Sequence, residues 1–264
     1  MIKDMEELDK YVKWLSAQYD YSQSTLMAYR DRMKSFFGKG KEFSQDEARR
    51  YVKELITSGV PARTVTLTIT AIEKYGAFLG QEVKIKRPKV QRSLSLENVP
   101  SEEEYKMLCE HLRGLKTSKG NDYYLLVKLL GTTGLRISEV KGITYEDIQR
   151  GSKLIIGKGT KYRIVFFTDE LKSYAEGKIG ICFPMTPRAI SCQLKKYADK
   201  IGLDRAKIHP HAFRHFFAKQ FLRKSGDVVE LANILGHGSL DTTRIYLQRS
   251  NEERRQFYKE HVCW

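Results

Sequence analysis

The chain has 264 residues, more than one average domain requires, and its 41% hydrophobic content excludes global disorder, so two folded domains are expected. Lys and Arg number 47 against 32 acidic residues, a formal charge of +15 that points to a polyanionic partner, with nucleic acid the commonest. The richest apolar run, residues 123–131, is broken by Lys128 and falls far short of the roughly 20 residues a membrane span needs, the first six residues lack a signal-peptide core, and Cys109, Cys182, Cys192 and Cys263 form no Cys-x-x-Cys pair, which fits free thiols in the cytoplasm and no metal site.

Residues 1–83 carry the spacing of short helices. Leu8, Tyr11, Val12 and Leu15 recur on one helical face, as do Leu26, Tyr29, Met33, Phe36 and Phe37, with Ser24 and Thr25 as candidate caps of the second run. A third helix is predicted over 45–58, closed by Gly59, and a fourth over 62–79, stopped by Gly80. Together they make a four-helix bundle. Residues 84–99 read as a basic linker. Lys84, Lys86, Arg87, Lys89 and Arg92 surround Pro88 with no acid among them, a composition suited to an extended segment lying along a phosphate backbone.

The helical pattern restarts at residue 100, where Ser101 precedes Glu102, Glu103 and Glu104 as an N-cap followed by first-turn acids. Helices are predicted over 101–113, 121–133 and 137–142. The period then changes: Leu154, Ile155 and Ile156, and residues 164–167, flank a Gly-Lys-Gly turn, a hairpin signal. Helices follow over 187–201, 212–225, 227–235, 239–248 and 251–260. The expected fold is mainly α with a small antiparallel β-sheet in the second domain, residues 100–264, whose tail covers 251–264.

Several residues in this second half could act on a phosphate. His211 and Arg214 are three apart on a predicted helix and share a face. His237 follows Gly236, and Tyr246 lies nine residues beyond it. Upstream, Arg136 follows Gly134-Leu135, with Glu139 one turn later, and Lys158 sits between two glycines of the hairpin turn. His209, His211 and His215 cluster as well, but with no His-Glu-x-x-His pattern and no cysteine partner, zinc is a poor reading.

The stretches "TGLRISEV", "GKGTK", "HAFRH" and "LGHGSLDTTRIY" resemble, in order and spacing, the active-site blocks of the tyrosine recombinases, the lambda-integrase family. "SQSTLMAYRDRMKSF" looks like the start of that family's helical core-binding, SAM-like domain. With no arm-binding segment ahead of the bundle, the compact Xer-type members are the better likeness. The resemblance implies a two-domain, C-shaped clamp on double-stranded DNA bearing an inverted-repeat site. It implies a monomer or dimer in free solution and a homotetramer on synapsed DNA. The catalytic set would be Arg136, Lys158, His211, Arg214, His237 and Tyr246, with Glu139 orienting it and no cofactor or metal.

The residue types suit the chemistry so implied. Attack on a phosphodiester builds negative charge on phosphate oxygens, and a guanidinium matches that geometry while staying charged. In the family pattern Tyr246 is the nucleophile, His211 its candidate base, Lys158 the acid for the leaving 5′-oxygen, and His237 a donor to the phosphate. The product is a 3′-phosphotyrosyl bond that conserves the phosphodiester energy, so rejoining through a Holliday junction needs no ATP. A type IB topoisomerase uses the same chemistry on a single duplex, and a non-enzymatic DNA-binding module would discard it.

Overall fold

The computed structural model describes residues 2–38, 42–89, 98–156 and 162–236, together with Thr243, Tyr246, Arg255, Tyr258, Lys259 and Val262. The chain divides into two compact units, Met1–Ser93 and Leu94–Trp264.

The first unit consists of α1 (Ile2–Gln18), α2 (Gln23–Phe37), α3 (Gln45–Thr57) and α4 (Ala62–Phe78). The periodic apolar residues form its core, with Leu8, Tyr11 and Leu15 of α1 joining Leu26, Tyr29, Met33 and Phe36 of α2 and Ile69 and Ile72 of α4. Buried hydroxyls are satisfied: Tyr11 donates to the Ala71 carbonyl at 3.0 Å, and Tyr75 to the Glu7 carboxylate at 2.7 Å. The cap of α2 is Ser22, whose side chain accepts from the Thr25 amide, and not Ser24 or Thr25. Past α4 the chain turns back on its own bundle. Val83 enters the core and Ile85 packs against it, so the first residues after the bundle are held to it rather than extended away. Gly76 permits this return, because a Cβ there would stand 2.7 Å from Val83 Cγ2.

The second unit opens with α5 (Glu102–Gly114). Ser101 Oγ accepts from the Glu104 amide while the Glu104 carboxylate accepts from the Ser101 amide, a closed capping box. Helix α6 (Ser118–Thr133) is buried on nearly every side, as an axial helix must be. It begins three residues before the predicted start because Thr117 caps it, accepting from the Gly120 amide at 3.0 Å. Next come α7 (Ile137–Val140), α8 (Tyr145–Arg150), β1 (Ser152–Ile156), β2 (Tyr162–Phe166), α9 (Asp169–Ala175), α10 (Pro187–Lys200), α11 (Pro210–Ser225) and α12 (Val228–Leu235). Helix α7 ends two residues short of its predicted end. Helices α8 and α9 have six and seven residues, too few to show a period, and threonine caps (Thr144 and Thr168) mark their starts. The hairpin turn at 157–161 lies outside the described residues, as do the predicted helices over 239–248 and 251–260 except at the single positions named above.

Helices α6 and α11 pack closely at the centre of this unit. Tyr105 of α5 stacks on Phe216 of α11 with ring centroids 4.5 Å apart, and Gly131 of α6 makes room for it, since a Cβ there would meet Tyr105 Oη at 2.6 Å. In the hairpin, Ile155 pairs with Arg163 and Leu154 with Ile164. Alternation turns Ile155, Arg163 and Val165 inward, while Leu154, Ile156, Ile164 and Phe166 are exposed. An arginine therefore points into the body of the unit.

Candidate active site

The site begins where two helices end. Helix α6 stops at Gly134 and α12 at Gly236, both in the left-handed region with φ of 62° and 63°. Each cap exposes carbonyls at the negative end of a helix dipole. Arg214, on the first turns of α11, occupies the space between them, its Nη1 donating to Gly134 O at 2.6 Å and its Nη2 to Leu235 O at 2.7 Å. Only 2% of Arg214 is exposed. Burial lowers its pKa first, and the Arg136 charge adds to this, to about 10. The guanidinium therefore stays protonated at neutral pH. A side chain at Gly134 would stand 2.6 Å from Phe217 and 2.7 Å from Leu235, so glycine is required there for contact as well as for φ.

From Gly134 the chain runs through Leu135 into Arg136, the N-cap of α7. Glu139 is the organising acid of this turn. Its carboxylate accepts from the Arg136 backbone amide at 2.7 Å and Arg136 Nη1 at 3.0 Å, and from both terminal nitrogens of Arg163 at 3.0 and 2.7 Å. Burial alone would raise its pKa, but the hydrogen bonds and charge of Arg163 and Arg136 more than offset it, so the group lies below the usual carboxylate range. Arg136 is held through Glu139 while its side chain remains 41% exposed. Arg163 is almost enclosed and lies against Gly236, where a Cβ would meet its Cδ at 3.1 Å. Its Nε has no acceptor among the described residues.

Helix α11 supplies the imidazoles. His209 is its N-cap, with Nδ1 accepting from the Ala212 amide at 3.2 Å, so this histidine is occupied structurally. His211 is exposed, though its ring stands edge-on to that of His215 with centroids 4.4 Å apart. Partial desolvation, then the charges of Arg214, His209 and Arg136, hold its pKa below the ordinary imidazole value. Tyr246 packs against the small cluster of Ala218, Leu231 and Leu235, and its hydroxyl lies 2.7 Å from Nδ1 of His215. Burial outweighs the lowering effect of the Arg214 and Arg136 charges, so the phenol pKa lies above its ordinary value.

The structure thus brings together Arg136, Glu139, His211, Arg214 and Tyr246. Lys158 and His237 lie outside the described residues. Two participants were not expected. Arg163 could have been found from strand parity, since Val165 and Phe167 share its face. His215 could have been found as the residue four beyond His211, on the same side of α11.

The cations singled out at residues 84–92 belong with the first unit. Lys84 pairs with Glu82 at 2.6 Å and Arg87 with Glu73 at 2.5 Å. Lys86, Arg87 and Lys89 line a groove of about 580 Å³ together with Arg49, Lys53, Val52 and Ile56 of α3. Arg92 lies outside the described residues.

The profile of the phage integrase family matches residues 99–253, and that of the phage integrase N-terminal SAM-like domain matches residues 8–83. Tyrosine recombinase XerA of Pyrococcus horikoshii is 26% identical, covering 97% of this chain and 93% of the relative. Tyrosine recombinase XerC of Bacillus subtilis is 28% identical, covering 95% of this chain and 94% of the relative. Among solved structures, the Tn1549 transposon integrase in complex with transposon right end DNA superposes with a TM-score of 0.69 at 17% identity, covering 97% of this chain and 99% of that one.

Because the pKa of Glu139 is lowered on folding, it contributes stability above the ordinary carboxylate value of 4.5, and that contribution fades as pH falls toward the lowered one. Glu139→Gln, which strands two guanidiniums, should cost about 3–5 kcal/mol at pH 7. In urea titrations the gap from wild type should shrink below pH 4.5; a gap independent of pH would contradict the ion network.

The family profile covers the whole of this site, and the chain belongs to the phage integrase family, the tyrosine recombinases.

Proposed function

We propose that this protein is a site-specific DNA recombinase that breaks and rejoins strands through Tyr246 without metal or ATP. The observation that carries this reading is the Tyr246 hydroxyl standing 2.7 Å from His215, the residue next to Arg214 on α11, with the charges of Arg136 and Arg214 near enough to oppose the rise that burial imposes on the phenol. A phenol near pKa 10 is a poor nucleophile until it loses its proton. Two guanidiniums ease that loss, and once a phosphate arrives they meet the charge growing on its oxygens. Removing one such donor typically costs on the order of 3–4 kcal/mol of barrier.

In the proposed reaction the Tyr246 oxygen forms a bond to phosphorus and the bond from phosphorus to the 5′-oxygen breaks. Arg136 and Arg214 hold the non-bridging oxygens, with His211 and His237 as further donors. Glu139 holds Arg136 in place. Lys158 protonates the departing 5′-oxygen, a role its compact, tunable charge suits. The 3′-phosphotyrosyl bond then awaits a 5′-hydroxyl from a second strand, which runs the same steps in reverse and yields a Holliday junction.

The helical unit, residues 1–83, would act as the core-binding domain, residues 84–99 as a basic linker and residues 100–264 as the catalytic domain. The partner is double-stranded DNA with an inverted repeat, bound in the cytoplasm by monomers or dimers that synapse two sites as a tetramer. The Tn1549 transposon integrase, whose structure is in complex with transposon right end DNA and whose fold matches this chain over 97% of its length, supports the choice of partner. Sedimentation of the synapsed complex should give four protomers on two duplexes; one protomer acting alone would favour topoisomerase-like relaxation instead.

A nicked duplex selected from random sequence by this protein tests the chemistry. Wild type should form a covalent adduct and Tyr246→Phe none, with DNA binding preserved. An adduct formed by the variant would remove Tyr246 from the reaction. On the same duplex with sulfur at the bridging 5′ position, Lys158→Ala should regain cleavage, because a thiolate leaves without an acid; no recovery would argue against that role.

The groove cations are tested by salt. Lys86→Gln with Lys89→Gln should reduce the slope of log affinity against log salt by about 1.8, two phosphate contacts at roughly 0.9 each. An unchanged slope would leave the segment a plain tether.

A further inference from the structure

We propose that His215 is the catalytic base that takes the proton of Tyr246, a step that rests on the recombinase reading above. Its Nδ1 is 2.7 Å from the phenolic oxygen, within the range of a direct hydrogen bond. The two rings are tilted by 52° with centroids 5.4 Å apart, so they sit side by side instead of stacking. Tyr246 reaches this position by packing its ring on Ala218, Leu231 and Leu235, and His215 reaches it from one turn earlier on α11 than Ala218. A proton acceptor must be within hydrogen-bond reach of the proton it removes, and His215 meets that condition in the resting protein.

His211, one turn before His215, has a different setting. Its ring stands edge-on to His215, and partial burial, followed by the charges of Arg214, His209 and Arg136, reduces its basicity. Such a ring is better suited to donating a hydrogen bond to phosphate than to accepting a proton from a phenol. Among the described residues, the charged and titratable groups near the Tyr246–His215 pair include His211 and Arg214 on α11 and Arg136 at the start of α7. The α12 residues packed with Tyr246, Leu231 and Leu235, are apolar.

The balance of the step is simple. In the tautomer that carries its proton on Nε2, neutral His215 offers the Nδ1 lone pair to the Tyr246 hydroxyl. As the oxygen–phosphorus bond forms, the phenolic proton passes to Nδ1 and His215 becomes an imidazolium. At the other end Lys158 gives its proton to the leaving 5′-oxygen and becomes an amine. No net charge enters or leaves the site. Rejoining returns the proton from His215 to the Tyr246 oxygen as the phosphotyrosyl bond breaks.

The experiment compares His215→Asn, which keeps a hydrogen-bonding group where Nδ1 was but cannot take a proton, with wild type and with His211→Gln. Single-turnover cleavage of the nicked duplex is followed from pH 6 to 9.5, with DNA affinity measured in parallel. Wild type should level off above the imidazole range. His215→Asn should be slower by about 10²-fold near pH 7, with near-unchanged affinity, and should gain about tenfold per pH unit as hydroxide substitutes for the base. His211→Gln should be slower but keep the wild-type plateau. His215→Ala should recover with added imidazole in proportion to its neutral form.

A His215→Asn profile parallel to wild type, or a rate equal to it, would overturn the proposal, as would a His215→Ala variant that binds DNA yet ignores imidazole. Transfer of the lost plateau to His211→Gln would give the base role to His211. Failure of wild type itself to form a Tyr246 adduct would instead bring down the recombinase reading beneath it.

Discussion

Everything in the site depends on one buried guanidinium. Arg214 sits between the ends of α6 and α12 and donates to a carbonyl of each. Burying an unpaired charge costs far more than a domain can spare, so an arginine this enclosed requires partners fixed before it arrives. Two helix C-termini provide them, because their last carbonyls lack intrahelical donors and carry the negative end of the dipole. The same bonds fix where the helices end in space, and two of the proposed catalytic residues follow those ends in sequence: Arg136 comes two residues after Gly134, and His237 comes directly after Gly236.

The charges around Arg214 are graded. Arg163 and Arg136 share the carboxylate of Glu139 while Arg214 feels its charge at longer range, so among the described residues the site keeps a surplus of positive charge. Arg163 is committed to structure. It joins strand β2 to α7 and lies under the glycine that ends α12, touching three segments that each lead to a proposed catalytic residue. Arg136, by contrast, keeps its side chain 41% exposed. For Tyr246 burial prevails over the guanidinium charges and keeps the phenol protonated in the free protein.

Much of this was legible in the sequence, for identifiable reasons. Long periodic segments such as α1 and α2 are legible from their apolar spacing, and the order of Arg136, His211, Arg214 and Tyr246 carries the family resemblance. What escaped was short or depended on partners distant in sequence. Helices α8 and α9 hold too few residues for a period, and the start of α6 turned on a threonine cap ahead of an ordinary Ser-Lys-Gly stretch. Arg163 is not singled out by the sequence; strand register and burial place it on the inner face. His215 was grouped with a doubtful zinc cluster, and its proximity to Tyr246 depends on a residue 31 positions away. The basic segment after the bundle shared that difficulty, since its pairing with Glu73 and its groove with α3 are tertiary facts.

The central claim is that fixed guanidinium charge stabilises the phosphate that Tyr246 attacks, and it is most directly tested by removing the charge from the phosphate. Matched duplexes with either a phosphodiester or a neutral methylphosphonate at the cleaved position would be given to wild type and to Arg136→Ala in single-turnover cleavage. Arg136 is the residue to change because it is half exposed, whereas Arg214 also holds the fold. The account predicts a loss of about 10²–10³-fold on the phosphodiester that largely disappears on the methylphosphonate. An equal loss on both substrates would contradict it, because Arg136 would then be acting on something other than the phosphate charge.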